Sequence, residues 1–420
     1  MPPASPASPR HTRRARGALG AALVLLLTAC QGASPADART ARSSDDAGDI
    51  VVAVVWPWHA LRQVRYGDGL ELAVEELNAS GGIRGRNVRL RREDDSGSVD
   101  VGRLIAQHLA NDPSVLAVIG HLQSYVTIPA ASIYDEAEVL LISPAATDPA
   151  LTGRGLRHVF RTTFTDKDVG RRMADVAAER GYKRVAIYYM RNTYGRGLSN
   201  AFEERAGNVG VNVIARQSYD PTDQVSEQTF ASTLRDWQLL APDALFIAGE
   251  VPSAGTLVAA IRKLGLTMPI LGGDAMSSPE LLATAGAAAE GAIIASAFHP
   301  DEPSPAVQRF VTAFRARFGA TPDVGSALGY DAMRVLGHAL RTAPTAGPAD
   351  LVKTMHAVSN WPGVTGTVAF SPGGDRSTVS VVTTVVRNGQ FQYLAPPAAT
   401  GPKAAGATVA VRSPLNATPR

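Results

Sequence analysis

The chain has 420 residues, of which 45% are hydrophobic and 19% are charged, and it contains a single cysteine. This composition excludes a disordered chain, and the length allows two or three packed domains. The formal net charge of +3 would suit a nucleic-acid-binding protein, but the distribution of the charge along the chain argues against that class.

The first 29 residues have the pattern of an export signal. An uncharged apolar run from Ala18 to Ala29 is too short to span a bilayer as a helix, which takes about 20 residues. Leu27-Thr28-Ala29-Cys30 then resembles the bacterial lipobox, in which the cysteine is lipidated. We predict a signal peptide over residues 1–29 and a lipid at Cys30. The alternatives are an ordinary cleaved signal with a chance cysteine, or a short membrane anchor. The basic residues before the apolar run are Arg10, Arg13, Arg14 and Arg16.

Removal of this segment changes the charge of the protein. Without its four arginines the chain has 37 basic and 38 acidic residues, a net charge of −1. A nearly neutral body gives no support to nucleic-acid binding or to a basic membrane patch. We therefore expect an exported protein, lipid-anchored at the cell membrane and facing the periplasm or the cell exterior, with no nucleic acid as partner.

Two segments lack the apolar periodicity of a folded element. Residues 30–48 are rich in Ala, Ser, Asp and Arg, which is typical of a flexible tether. Residues 396–420 are rich in Ala, Pro, Thr and Gly, and we expect a disordered tail there. The folded body should extend from about residue 49 to residue 395.

Short β-branched runs alternate with segments of helical period in the first part of this body. Leu70, Ala73, Val74 and Leu77 have the i, i+3, i+4, i+7 spacing of a helix face. The alternation predicts a parallel sheet covered by helices on both faces. The predicted strands are 50–55, 88–90, 115–119 and 139–142, with helices between them, the last at about 124–137.

A second series of the same kind begins after Arg161, which indicates a second lobe. Its strands are predicted at 185–189, 211–215, 244–247, 270–271 and 292–295, and its helices at 169–180, 197–206, 230–240 and 254–264. Three long helices and a return to strand character follow, the helices at 306–318, 326–341 and 349–358, the strands at 366–370 and 379–386.

Short sequence segments throughout the folded body resemble those of a known family. The sequence resembles the type I periplasmic binding proteins of the leucine/isoleucine/valine-binding family, the substrate-capturing components of ABC importers. The strings are ELAVEELNASGGIRGRNVRL, EDDSGS, VLAVIGHLQS, VLLISPAATDPALT, VFRTTFTDKDVG, RVAIYYMRNTYGRGL, PDALFIAGE, ILGGDAM, AAAEGAII, ALGYDAMRVLGHAL and GVTGTVAFSPGGD.

The resemblance implies an α/β fold of two lobes joined by three hinge crossings, which close on a small molecule. We expect an N-terminal lobe of residues 49–164 and 298–369, and a C-terminal lobe of residues 165–297 and 370–395. It also implies an extracytoplasmic protein, expected as a monomer, that captures an amino acid or amino-acid-like amide and delivers it to an ABC permease. The alternative is a lipoprotein that uses the same cleft to signal ligand binding to a membrane receptor.

Two hydroxyl residues of the first lobe follow predicted strands. Ser124 precedes an apolar-periodic helix, where its hydroxyl and the backbone N–H groups suit an anion, although it also suits a helix cap. Thr147 lies just beyond the next strand. In the family, the serine of the first string, with backbone and threonine of the second, holds the ligand carboxylate. The resemblance thus assigns Ser124, Ala145 and Thr147 to that role.

Two residues of the second lobe are implied in the same way. Tyr194, in NTYGRG, matches a tyrosine that closes over the ligand, although a tyrosine that packs a turn is an alternative. Asp274, in LGGDAM, follows a short strand and two glycines, and an acid there suits a ligand ammonium. A helix-capping aspartate is the competing explanation.

The sequence departs from the family at two places. After the first strand it has Trp56-Pro57-Trp58-His59 where many relatives have Gly-Pro, so Trp58 is a candidate for stacking on the ligand and Trp56 for the same role or for the core. Glu250 replaces an aromatic residue of some relatives. A second acid beside Asp274 favours a ligand with more positive charge than an aliphatic amino acid, unless Arg62 or another base pairs with it or it is exposed.

Motifs of other chemistry are missing from the sequence. It contains no GxxxxGK[ST] phosphate loop, no HExxH and no GxSxG, and its eight histidines are scattered. We therefore expect no catalytic residue, no metal and no cofactor. An extracellular hydrolase is the third and least supported class.

Overall fold

A computed structural model of the protein describes residues 34–44, 48–62, 64–220 and 227–395. The predicted signal peptide, the lipidation site Cys30 and the C-terminal segment 396–420 lie outside the described residues.

Strands and helices alternate along most of the described chain. The strands are β1 (Ile50–Trp56), β2 (Val88–Asp94), β3 (Val115–Gly120), β4 (Leu140–Ser143), β5 (Val159–Arg161), β6 (Arg184–Met190), β7 (Asn212–Tyr219), β8 (Ala244–Ala248), β9 (Ile270–Gly272), β10 (Ile293–Ser296), β11 (Trp361–Gly363), β12 (Gly366–Val368), β13 (Val382–Arg387) and β14 (Gln390–Tyr393). The helices are α1 (Pro35–Ser44), α2 (Tyr66–Ala79), α3 (Val99–Asn111), α4 (Ser124–Glu136), α5 (Asp166–Glu179), α6 (Thr193–Asn208), α7 (Glu227–Leu240), α8 (Ser253–Lys263), α9 (Pro279–Ala285), α10 (Pro305–Phe318), α11 (Val324–Thr342) and α12 (Pro348–Ala357). Among these described helices, none is both long and apolar enough to cross a membrane.

The first sheet is parallel and has the strand order β2-β1-β3-β4-β5. Val52 and Val54 of β1 enter a core with helices α2, α11 and α12, whereas Ala53 and Val55 enter a core with α3 and α4 on the opposite face. Because both faces are covered, every position of β1 can be apolar, which explains its uninterrupted run in the sequence.

The second sheet has the order β14-β13-β10-β9-β8-β6-β7. The strands from β6 to β10 are parallel to one another, while β13 and β14 join them as antiparallel additions. Tyr188 packs with α7, α8 and α9, and its neighbour Ile187 packs with α5 and α6 on the other face. The two layered lobes predicted from the alternating pattern are therefore present, and the second sheet is extended by a hairpin.

The chain passes between the two sheets at defined segments. It leaves the first sheet after β5, returns after β10 to the helices α10, α11 and α12, and enters the second sheet again at β13. Residues 370–378, expected in the C-terminal lobe, remain against the first sheet. Arg376 Nη1 donates to Thr162 O at 2.8 Å, and Arg161 N donates to Gly374 O at 2.9 Å. The expected lobe boundary at residue 370 is therefore too early.

The segment 30–48, expected to be a flexible tether, contains a docked helix. Arg39 of α1 is 1% exposed, and its guanidinium donates to Val115 O, Ala137 O and Ala110 O at 2.8, 3.0 and 2.9 Å. Ser34 and Asp37 bond reciprocally at the start of the helix. Docking by one buried arginine leaves no apolar periodicity, so only the Ser-x-x-Asp capping pattern predicts this helix.

Candidate ligand-binding cleft

A cavity of about 350 Å³ lies where the carboxyl ends of the strands of both sheets meet. Ligands of open α/β sheets bind at this end of the strands. Residues that follow β3, β4, β6, β8 and β9 line it. Seven of the residues singled out from the sequence line the cavity: Trp56, Ser124, Ala145, Thr147, Tyr194, Glu250 and Asp274.

The first-lobe wall is built at the start of α4. Gln123 is the N-cap and Ser124 is the first helical residue, so Ser124 does not cap its own helix. Its Oγ instead accepts from the backbone N of Asp148 at 3.2 Å, which joins the loops after β3 and β4. This bond leaves the hydroxyl proton of Ser124 able to donate to an anion beside the N-terminal N–H groups of α4.

Buried polar contacts hold these two loops from behind. Asp95 and His121 are both fully buried, and Asp95 Oδ2 lies 2.7 Å from His121 Nδ1. Arg161, also fully buried, donates to the carbonyl oxygens of Ala146 and Asp148 at 3.1 and 2.7 Å. The sequence shows Asp95 only as part of an acidic turn; in the fold, its pairing with His121 positions the residues that lead into α4.

The second-lobe wall is a hydrogen-bonded set that joins three strand ends. Tyr194 Oη donates to Asp274 Oδ1 at 2.9 Å and accepts from Ala275 N at 3.2 Å. Asn192 Oδ1 caps α6 by accepting from Gly195 N, and its Nδ2 donates to Glu250 Oε1 at 2.9 Å. Sequence reasoning missed Asn192, although an asparagine directly before a helix is the usual sign of such a cap.

The glycine before Asp274 has a steric role in this wall. A Cβ at Gly273 would lie 2.5 Å from Leu198 Cδ2 and 2.6 Å from Tyr194 Oη. Any larger residue would therefore displace the tyrosine that bonds to Asp274. In the LGGDAM segment, Asp274 is thus preceded by a glycine that leaves space for Tyr194, its hydrogen-bond partner.

The acids of the second wall are destabilised in their charged forms. Burial raises the pKa of Asp274 to about 6, although the Tyr194 hydroxyl opposes the shift. Burial also raises the pKa of Glu250, with a contribution from the charge of Asp274 and against the hydrogen bond from Asn192. Arg62 is exposed and does not line the cavity, so the possible pairing with Glu250 is not formed.

A third acid lies close to this wall. Asp166, the first residue of α5, is 1% exposed, and its carboxylate lies close to the side chain of Thr147. Burial raises its pKa well above the usual range; the Thr147 side chain and the charge of Arg161 oppose the shift, and the charge of Asp274 adds to it. The described lining of the cavity contains the acids Glu250 and Asp274 but no Lys, Arg or His. Such a site favours a cationic group on the ligand.

Trp58, a candidate for stacking on the ligand, lies outside the cavity. Trp58 is not part of the cavity lining; its indole Nε1 donates to Glu93 O at 3.0 Å, and Arg92 lies 5.0 Å from its ring centroid. Trp56 lines the cavity and also belongs to the core, where it stacks on Tyr66 at 3.8 Å between ring centroids. The strand ends at Trp56, so the next turn carries Trp58 to the outer edge of β2.

Apolar side chains complete the lining. Trp56 belongs to this set, together with Leu61, Val64, Leu122 and Leu328. No group of three or more His, Cys, Asp or Glu residues able to hold a metal ion occurs in the part of the chain that the structure describes. The cavity therefore combines an apolar surface, hydroxyl and helix N–H donors, and acids.

Comparisons with known proteins agree with this architecture. The model of the family described as periplasmic binding protein matches residues 64–390. A Leu/Ile/Val-binding protein homolog 2 from Brucella abortus is 30% identical over 353 residues, which are 81% of this chain and 91% of the relative.

Solved structures are similar over the same part of the chain. An ABC transporter substrate-binding protein from Desulfitobacterium hafniense, in complex with Leu, is 36% identical with a TM-score of 0.75, covering 82% of this chain and 100% of that one. A leucine-binding protein from Thermotoga maritima is 29% identical with a TM-score of 0.76, covering 82% and 98%. The chain belongs to the type I periplasmic binding proteins of the leucine/isoleucine/valine-binding family.

Proposed function

We propose that this protein is the extracytoplasmic substrate-binding component of an ABC importer, and that it captures an amino acid or amino-acid-like amide between its two lobes. The observation that carries the proposal is the opposition of two unlike walls in one cavity. Ser124 and Thr147 stand with the start of α4 on one side, and Tyr194 and Asp274 on the other.

The two walls match the two ends of an amino acid. The ligand carboxylate would accept hydrogen bonds from the hydroxyls of Ser124 and Thr147 and from backbone N–H groups near Ala145 and the start of α4. The ligand ammonium would bind Asp274, whose other neighbour is the Tyr194 hydroxyl. An ammonium there would also restore the charged form of Asp274, which burial disfavours.

Contacts from both lobes supply the mechanism. A ligand held by both walls interacts fully only when the lobes are closed, so binding shifts the population toward the closed form. The segments after β5, after β10 and before β13 would act as the hinges. The permease would then recognise the closed form, and the lipid at Cys30 would keep the monomeric protein at the membrane.

Relatives that bind amino acids support this assignment. The Desulfitobacterium hafniense structure contains Leu, and a Streptococcus pneumoniae branched-chain amino acid transporter substrate-binding protein, 26% identical, was solved with isoleucine. The family binds solutes and is not a family of enzymes.

A thermal-shift screen of amino acids and short amides, followed by calorimetry on each hit, tests the proposal. Thr147→Val removes one hydroxyl at nearly constant volume, and we expect it to lower the affinity for each ligand found in the screen about tenfold. Thr312→Val, on the exposed face of α10, is the matched control and should bind as the wild type does. Absence of any hit, or equal binding by both variants, would contradict the proposed site.

The transport role and the anchor need separate experiments. Deletion of the gene should abolish high-affinity uptake of the identified ligand, and uptake that is unchanged would contradict the importer role. Cys30→Ala should release the protein from the membrane fraction, and continued membrane association would contradict lipidation at this residue.

A further inference from the structure

Glu250 is the feature of the cleft that a simple amino acid does not explain. It follows β8, and Asp274 follows β9, which is the neighbouring parallel strand. The two carboxyl groups therefore project from adjacent strand ends into the same cavity. Burial is the main cause that raises the pKa of Glu250, and the charge of Asp274 adds to the shift.

Within the described part of the protein, only one carboxylate oxygen of Glu250 accepts a hydrogen bond. Its Oε1 accepts from Asn192 Nδ2 at 2.9 Å, whereas no hydrogen bond to Oε2 is formed among the described residues. The aromatic groups near it are Tyr125 and Tyr219; burial is the main cause that raises the pKa of both phenols, and the charge of Glu250 adds to both shifts. Glu250 is thus oriented by Asn192 but not neutralised.

The charged groups of the cavity indicate which charged groups the ligand must carry. A zwitterionic amino acid brings one ammonium, which Asp274 and Tyr194 accommodate, and one carboxylate, which the first wall accommodates. A second acid in the same cavity then has no counter-charge, and an unpaired buried charge is costly. A second cation on the ligand removes this cost and gains a charge-assisted hydrogen bond.

We propose that the ligand is a basic amino acid or its amide, and that Glu250 binds the ammonium or guanidinium group of the ligand side chain. This proposal rests on the proposed function and specifies its substrate class. The methylene groups of such a side chain would lie along the apolar part of the lining, which includes Leu122 and Leu328. The cavity of about 350 Å³ lies within the usual range for a small-molecule site.

Lysine and norleucine provide the decisive pair of probes, because they differ by the terminal ammonium of the side chain. Calorimetry with lysine, ornithine, arginine and norleucine should show at least one basic amino acid binding the wild type about tenfold or more tightly than norleucine. In Glu250→Gln this preference should fall about tenfold, through loss of affinity for the basic ligand while norleucine binds at least as well as before.

The substitution is conservative and has a matched control. Glutamine keeps an oxygen that can accept from Asn192, so the cap of α6 should be retained and the thermal midpoint should change little. Glu136→Gln, an exposed acid at the end of α4, should bind all probes as the wild type does.

The possible outcomes separate the two proposals. If norleucine or glutamine binds the wild type as tightly as the basic amino acids, the proposal that the ligand carries a second cation is contradicted, while the amino-acid function stands. Glu250 then acts as a protonated donor to a neutral ligand. An unchanged preference in Glu250→Gln also overturns the role of Glu250. If no amino acid or amide binds at all, both proposals are contradicted.

Discussion

The two walls of the cleft are made of similar strand ends but differ in charge. The first-lobe wall presents neutral groups, the hydroxyls of Ser124 and Thr147 and the start of α4, while the second-lobe wall presents the acids Glu250 and Asp274. The neutral donors are already held by backbone contacts, whereas burial disfavours the charged forms of the two acids. Under the proposed function, the first wall would bind the carboxylate common to amino acids, and the second wall would determine which cations are accepted.

The largest expected effect concerns the acid of the second wall. Asp274→Asn keeps an oxygen that can accept from Tyr194 but removes the negative charge, so ligand affinity should fall about 30-fold or more. Calorimetry against Asp301→Asn, a surface substitution, measures the effect. Equal affinity in the two variants would show that the ammonium is not held at this wall.

A smaller loss is expected at the first wall. Ser124→Ala removes one hydroxyl donor to the carboxylate, while the N–H groups at the start of α4 remain, so affinity should fall about tenfold. The difference between the two losses is the sharpest test of the contrast between the walls. A loss at Ser124 larger than that at Asp274 would reverse the comparison.

The pH dependence of stability should also separate the walls. The pKa of Asp274 is raised from 3.8 to about 6 in the ligand-free fold, so the fold binds more protons than the unfolded chain in this window and loses stability as pH rises through it. Asp274→Asn should therefore stabilise the ligand-free protein by up to about 3 kcal/mol at pH 7.5.

Chemical denaturation at two pH values checks this expectation. Below about pH 3 the carboxyl is mostly protonated in both states, so the difference between Asp274→Asn and the wild type should largely disappear there. Carboxylates whose pKa is lowered, such as Asp112, act in the opposite direction in both proteins and cancel in the difference. A gain that is independent of pH would assign the effect to packing instead of charge.

The smallest effect on binding is expected far from both walls. Arg39 docks α1 near the amino end of β3, opposite the strand ends that form the cleft. Arg39→Ala should release α1 and lower the free energy of unfolding by roughly 1 to 3 kcal/mol, because three carbonyl groups, two of them in buried hydrogen bonds, lose a donor. Hydrogen exchange should show the release, with ligand affinity unchanged; a change in affinity would indicate that α1 acts on the cleft.

Much of the fold could be predicted because its strands are buried on both faces. Val52 to Val55 alternate between two hydrophobic cores, and a run of this kind is recognisable without knowledge of the neighbours. Residues 370–378 could not be assigned in the same way. The contacts of Arg376 and Gly374 that hold them to the first lobe join residues more than 200 positions apart, and they leave no local pattern.

The candidate site was predictable to the same degree. Ser124, Thr147, Tyr194 and Asp274 each follow a strand, and parallel strands bring their carboxyl ends together, so their convergence follows from topology. The position of Trp58 was not predictable in that way. Whether a side chain just beyond a strand faces the cleft depends on the turn it enters, as the bond from Trp58 to Glu93 O illustrates.

The sequence by itself determined the two α/β lobes, the near-neutral charge of the chain beyond residue 29 and the residues at the strand ends, since these depend on local periodicity, composition and the direction of parallel strands. Only the tertiary structure decided that α1 is docked, that Trp58 lies outside the cavity, and that Glu250 lines it beside Asp274 without a base. Burial and partners of a charged group are set by residues distant in the chain, and for that reason the charge balance of the cleft could not be read from the order of the amino acids.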